Sequence, residues 1–171
     1  ELINEKTVAI MAPNLMGNIC EWEKIKEIAD KHNLKVIEDS ADTIGAKING
    51  ISSGAYSDMS ITSFYGSHII NCAGNGGALA INDDLVLKRA KLLRSWGRSS
   101  SIFDENSEAI ENRFNVNLEG IDYDAKFVFE TIGYNLEGNE VGAAFGIEQL
   151  KSLEKNIKTR QKNFKIQCDF F

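Results

Sequence analysis

The chain holds two histidines, and one of them, His68, closes the stretch SFYGSH at residues 63–68. An imidazole takes and returns a proton near neutral pH, so it suits acid–base work. Ser63, five residues earlier, carries a hydroxyl that can donate to a phosphate. Asp39 opens the segment DSAD. A carboxylate at such a point can hold the protonated ring nitrogen of a cofactor. Each residue also has a plainer assignment: Asp39 as a helix cap or turn residue, Ser63 bonded to backbone, His68 as a structural histidine. The glycines at 74, 76 and 77 let backbone approach a ligand closely, or simply make a turn.

What must position these residues is an alternation of strands and helices. KTVAIMAP (6–13) reads as a buried strand ended by the only proline, Pro13. CEWEKIKEIADKH (20–32) reads as a helix with Trp22, Ile25, Ile28 and Ala29 along one side. LKVIED (34–39) is the next buried strand and carries Asp39 to its carboxyl end. Strand, helix and strand in that order predict a parallel sheet. MSITSF (59–64) and GGALAIN (76–82) read as further strands. DDLVLKRAKLLRSW (83–96) reads as a helix, acidic at its start and basic towards its end, as the helix dipole prefers. Residues 97–120 are polar and aperiodic and read as a long loop. Residues 140–164 read as a helix, whose Gly142, Ala143, Ala144 and Gly146 predict close packing against a neighbour. Open α/β sheets bind ligands beyond the carboxyl ends of their strands, which is where Asp39, Ser63 and His68 fall.

Size and composition narrow the class. At 171 residues the chain can bury one ordinary core. With 43% hydrophobic and 26% charged residues, it fits a globular protein. A net charge of -6 argues against nucleic acid as a partner. Cys20, Cys72 and Cys168 are widely spaced, with neither a metal-binding pair nor a disulfide framework, so a reducing compartment is expected. No apolar run approaches about 18 residues, so no membrane span is expected. Glu1 stands first and the apolar FKIQCDFF last, so a cut through a longer protein is expected.

Four segments, in order, carry a resemblance. VIEDSADTIGAKING, SITSFYGSHIINCAGNGGALAIND, LLRSWGR and IGYNLEGNEVGAAFGIEQL resemble the sugar aminotransferase and dehydratase family of the pyridoxal phosphate fold type I group. The resemblance runs from about residue 6 to the end. It implies an α/β fold: part of the large cofactor-binding domain, with a mostly parallel sheet flanked by helices. Residues 1–150 would belong to that domain, and 151–171 to a helix leading towards a smaller domain.

In the family's aminotransferases, a lysine five residues after the serine of SF anchors the cofactor covalently. Here that position is His68, which resembles the 3-dehydratases acting on nucleotide-linked 4-keto-6-deoxysugars. The Trp96-Gly97-Arg98 stretch leans the same way. The resemblance implies pyridoxal 5'-phosphate, or its amine form pyridoxamine 5'-phosphate, as cofactor. Asp39 would pair with the pyridine nitrogen and Ser63 would bind the phosphate. Asn135, in GYN, would reach the phosphate of a neighbouring subunit's site in a homodimer. Asp42 falls where aminotransferases often carry glutamine near the ring face, and is the fourth cofactor-binding candidate. Asn75 stands in place of the glutamate of the family's GEGG.

The activity implied is C3 dehydration of a nucleotide-linked 4-keto-6-deoxyhexose in deoxysugar and lipopolysaccharide biosynthesis, in the cytoplasm, with His68 as acid and base. The reductase-coupled branch adds an iron–sulfur cluster on four cysteines. Position 41 is alanine and residues 99–114 hold no cysteine, so no cluster is expected. The alternatives are an aminotransferase relative that lost its lysine, and a binding protein that kept the fold without catalysis.

Overall fold

The first apolar run folds as strand β1 (Ala9–Pro13) and leads through a short 3-10 turn, Leu15–Gly17, into helix α1 (Trp22–Lys31). Strand β2 (Lys35–Asp39) follows and pairs parallel with β1, Pro13 opposite Asp39. A small hairpin, β3 (Lys47–Ile48) and β4 (Ile51–Ser52), precedes strand β5 (Met59–Ser63), which pairs parallel with β2. Strand β6 (Gly77–Ile81) runs antiparallel beside β5, with Gly77 opposite Ser63. The sheet order is β1-β2-β5-β6, so the fold is α/β with a mostly parallel sheet. The edge strand β6 is antiparallel for a simple reason. The chain returns from β5 through a loop and the glycine-rich turn, with no helix to carry it back across the sheet.

The computed structural model describes residues 2–102, 114 and 116–171. Contacts divide the chain into two units, Glu1–Asn82 with Gly138–Phe171, and Asp83–Glu137. The first holds the sheet. Its core is Trp22, Ala29, Leu34 and Val36, with Ile10, Ala12, Ile25, Ile48 and Tyr56 around them. The stripe expected on α1 is narrower than its spacing suggests: Trp22 and Ala29 are buried, Ile25 is half-buried, and Ile28 is exposed. Helix α3 (Glu140–Lys151) starts at Asn139, whose side chain accepts from the amides of Val141 and Gly142. The single helix expected over 140–164 is two, because Ser152 turns its amide to Gln149 and Leu150 and starts α4 (Leu153–Phe170).

The second unit is built on helix α2 (Asp84–Arg94), capped by the Asp83 carboxylate accepting from Leu85 and Val86 amides. The expected loop over 97–120 includes a 3-10 turn at Ser99–Ile102 and a strand, β7 (Val116–Leu118), paired with β8 (Ile121–Tyr123). Its residues 103–113 and 115 lie outside the described residues. Gly97 adopts φ +81, and a Cβ there would run into the Thr131 carbonyl, so only glycine fits between Trp96 and Arg98. The Arg98 guanidinium lies 4.9 Å from the centre of the Trp96 ring. Among the described residues no helix is long and apolar enough to cross a membrane.

Asp58, just before β5, ties β2 to the turn that feeds β5. Its carboxylate accepts from the Val36 amide at 2.8 Å and the Lys35 ammonium at 2.9 Å. Partial burial alone pushes this carboxyl up, but the Val36 amide and the Lys35 charge outweigh it and hold it below its ordinary value of 3.8. The stabilisation is therefore whole above that ordinary value and fades as pH falls through the lower folded one. Asp58→Asn should cost about 1–2 kcal/mol near neutral pH, since a charged acceptor is exchanged for a neutral one. In urea titrations the gap between variant and parent should close in acid. A gap that persists there would show that the loss comes from packing rather than charge.

Candidate active site at the carboxyl edge of the sheet

Three parallel strands end together, and their ends and the loops that leave them carry the candidate residues. β1 ends at Pro13, β2 at Asp39 and β5 at Ser63. Side chains alternate across a strand, and register partners share a face. Asp39 pairs with Ile61, two residues before Ser63, so Asp39 and Ser63 point to the same face. Strand spacing puts their Cα atoms roughly 8 Å apart. Asp39 Oδ1 accepts from the Ala41 amide at 3.0 Å, the usual local turn of an aspartate after a strand. Among the described residues nothing donates to its Oδ2. Ser63 Oγ accepts from the Tyr65 amide at 3.2 Å, which leaves the hydroxyl hydrogen to donate.

His68 follows in a turn closed by its own amide to the Tyr65 carbonyl at 3.0 Å. Its Nδ1 faces Asp42 Oδ1 at 3.4 Å, and the Tyr65 ring stands edge-on to it, 6.2 Å between centres. Asp42 Oδ2 accepts from the Met16 amide at 3.0 Å. Three loops therefore meet, those after β1, β2 and β5. Met16 has φ 54 and Gly17 φ 87, a left-handed pair that turns the Met16 amide towards Asp42. Sequence reading missed Met16, because a backbone donor has no residue type to recognise. Gly17 was its one visible signal.

The loop that carries His68 is anchored at both ends. Phe64 donates to the Gly76 carbonyl at 2.8 Å, and Cys72 donates to the Phe64 carbonyl at 3.2 Å. Ile70, between His68 and Cys72, is buried. Helix α3 presses on the same loop through Gly142 and Gly146. A Cβ on Gly142 would stand 2.7 Å from the Cys72 carbonyl oxygen, and one on Gly146 would stand 2.7 Å from Cys72 Sγ. The close packing expected of the small residues on this helix is thus made by its two glycines, while Ala143 and Ala144 are exposed.

The opposite face of the sheet has a different character. Glu38 is fully buried there and accepts from Asn14 Nδ2 at 2.7 Å and Ser60 Oγ at 2.9 Å. Asn14 Oδ1 in turn accepts from Trp22 Nε1 at 2.9 Å and the Cys20 amide at 3.0 Å. A cavity of about 300 Å³ opens beside Glu38, lined also by Ser40, Thr43, Ser60 and Thr62. Buried polar groups demand partners, and this network gives them while fixing β1, β2 and β5 against one another. It lies behind the strand ends that bear Asp39 and Ser63.

Of the five candidate residues, the first unit holds Asp39 and Ser63 at strand ends and Asp42 and His68 on the loops that follow, all at one sheet edge. Asn135 belongs to the second unit, where it is exposed and bridges to Ser95. Asn75 sits in the turn that enters β6. No lysine occurs between Lys47 and Lys88, so no amine stands on β5, β6 or the loop that joins them.

The DegT/DnrJ/EryC1/StrS aminotransferase family description matches residues 1–169. The lipopolysaccharide biosynthesis protein RfbH of Salmonella typhimurium is 33% identical over 95% of this chain and 37% of its own length. A GDP-perosamine synthase of Caulobacter vibrioides is 32% identical over 94% of this chain and 37% of its own. The solved structure of an E. coli GDP-4-keto-6-deoxy-D-mannose-3-dehydratase with bound hydrated PLP superposes with a TM-score of 0.79 at 27% identity, covering 96% of this chain and 40% of that one. The chain spans about two fifths of the length of the relatives it matches. With a match over nearly every residue and a shared sheet, the chain belongs to the DegT/DnrJ/EryC1/StrS aminotransferase family, a pyridoxal phosphate-dependent family in which sugar-modifying dehydratases and aminotransferases share one fold.

Proposed function

We propose that the protein carrying this chain removes the C3 hydroxyl from a nucleotide-linked 4-keto-6-deoxyhexose. One observation carries the reading: where the loop after β5 meets the carboxyl edge, the group present is an imidazole whose Nδ1 faces Asp42, and no lysine lies from residue 48 to 87. An imidazole cannot anchor an aldehyde through a stable nitrogen link, but it can move protons.

The residues present fit pyridoxal phosphate or pyridoxamine phosphate. Asp39 Oδ2 is an open anionic acceptor for a pyridinium N–H, and Ser63 Oγ is an open donor for a phosphate on the same face. When bound, the amine form supplies a nitrogen that condenses with a sugar ketone and a ring that takes up electron density. Asp39 holds the ring nitrogen protonated, which keeps that capacity high. Ser63 fixes the phosphate arm. His68 Nε2, the ring nitrogen turned away from Asp42, accepts the proton from the cofactor's C4′ carbon. The same nitrogen returns a proton to the departing C3 oxygen, which otherwise leaves poorly. In this reading residues 1–150 belong to the cofactor-binding domain and 151–171 to the helix leading out of it. Asn135 reaches the phosphate of a neighbouring copy in a homodimer.

The test is a turnover assay of the intact protein with pyridoxamine phosphate across GDP- and CDP-linked 4-keto-6-deoxyhexoses, read by mass. A dehydratase gives a sugar one oxygen lighter, with release of ammonia. An aminotransferase gives a sugar that keeps its C3 oxygen and carries an amino group at C4. A binding protein returns the substrate unchanged. Either of the last two results overturns the proposal.

A further inference from the structure

Asp42 enters the sequence reading as a neighbour of the cofactor ring, yet its two oxygens are directed at protein. Oδ2 accepts from the Met16 amide at 3.0 Å, and Oδ1 faces His68 Nδ1 at 3.4 Å. We propose that Asp42 is the positioning residue of the reaction: held by the loop after β1, it fixes the His68 proton on Nδ1 and so leaves the Nε2 lone pair for the substrate side. The proposal rests on the reading of His68 as the base.

A neutral imidazole carries one proton on either nitrogen, and the partner of one nitrogen decides which. A carboxylate can only accept, so the nitrogen that faces Asp42 is the one that keeps its hydrogen. The distance of 3.4 Å is long for a hydrogen bond. Such contacts in a catalytic loop shorten when the site fills. The Tyr65 ring also stands against it, edge-on at 6.2 Å between centres. It bears no charge that would compete for the imidazole proton.

Met16 makes the proposal sharp. Its amide is a donor and stays one in any variant. In Asp42→Asn the amide oxygen must turn to Met16, because the amide nitrogen cannot accept. The Asn nitrogen is then aimed at His68 Nδ1, where it donates and drives the imidazole proton to Nε2. The near-isosteric variant therefore installs the wrong tautomer, while Asp42→Ala imposes none. A purely structural aspartate gives the opposite order, with Asn the milder change.

The experiment pairs two readouts on the intact protein and its Asp42→Asn, Asp42→Ala and His68→Asn variants. Nitrogen-15 spectra of labelled histidine, with the signal lost in His68→Asn identifying the residue, should show the neutral ring protonated at Nδ1 in the parent. The proton should sit at Nε2 in Asp42→Asn and be shared in Asp42→Ala. Turnover should fall about 10²- to 10⁴-fold in Asp42→Asn and about tenfold in Asp42→Ala. An unchanged tautomer in both variants, or a milder loss in Asn than in Ala, overturns the proposal. A tautomer that moves as stated, in a parent that dehydrates no keto sugar, supports the Asp42–His68 coupling and removes the dehydratase reading instead.

Discussion

Replacing His68 by Asn should lower dehydration by about 10²- to 10⁴-fold, the contribution of a placed acid–base group, while cofactor affinity changes little. In the proposed reading Asp39 and Ser63, at the ends of their strands, hold ring nitrogen and phosphate, and neither task calls on His68. His68 stands five residues further along, in a turn of its own. Asn has nearly the polar reach of the imidazole but no site that takes and returns a proton near neutral pH. The check is single-turnover kinetics beside a cofactor titration followed by absorbance. Turnover within threefold of the parent would show that the imidazole is not the base. A lost cofactor together with lost turnover would show that His68 binds rather than reacts.

Trp22→Ala should cost about 3–5 kcal/mol, the largest stability loss expected of a single truncation in the sheet unit. The indole is fully buried at the start of α1 and forms the core with Ala29, Leu34 and Val36. It also donates from Nε1 to Asn14 Oδ1. After truncation Asn14 keeps the Cys20 amide as a donor, so the loss is one of packing and a cavity more than of an orphaned acceptor. Trp22→Phe separates the two contributions: it keeps most of the ring volume and loses the donor, and should cost about 1–2 kcal/mol. Urea unfolding followed by far-ultraviolet circular dichroism measures both. A loss below about 1 kcal/mol for Trp22→Ala would mean that α1 is held to the sheet by other contacts.

Much of this architecture is legible before any coordinates. Strand ends at Asp39 and Ser63 follow from short apolar runs that stop at polar residues, and the caps Asp83 and Asn139 sit where apolar periodicity begins. The glycines of α3 announce a close neighbour, and the neighbour is Cys72. Other features are hidden for physical reasons. The break at Ser152 is a backbone event in a stretch whose overall composition reads as one helix. The direction of β6 depends on how the chain crosses the sheet, and an apolar run reads the same in either direction. In the candidate site, His68, Asp39 and Ser63 are visible by type, and a family resemblance adds Asp42 and Asn135. What no residue type reveals is that Asp42 faces His68, because that pairing depends on the left-handed turn at Met16.

The seat of Cys72 against Gly142 and Gly146 has a mechanical consequence. His68 is four residues from a point where one helix rides on a carbonyl oxygen and a sulfur with no side chain of its own between them. The helix acts as a ruler: its distance from the loop is set by hydrogen atoms alone. A single methyl on either glycine would stand 2.7 Å from an atom of Cys72, so helix or loop must give way, and the loop is the one that carries His68. On the proposed reading, the aim of His68 can thus be retuned from behind, in steps the size of one carbon, with Asp39, Asp42 and Ser63 left as they are.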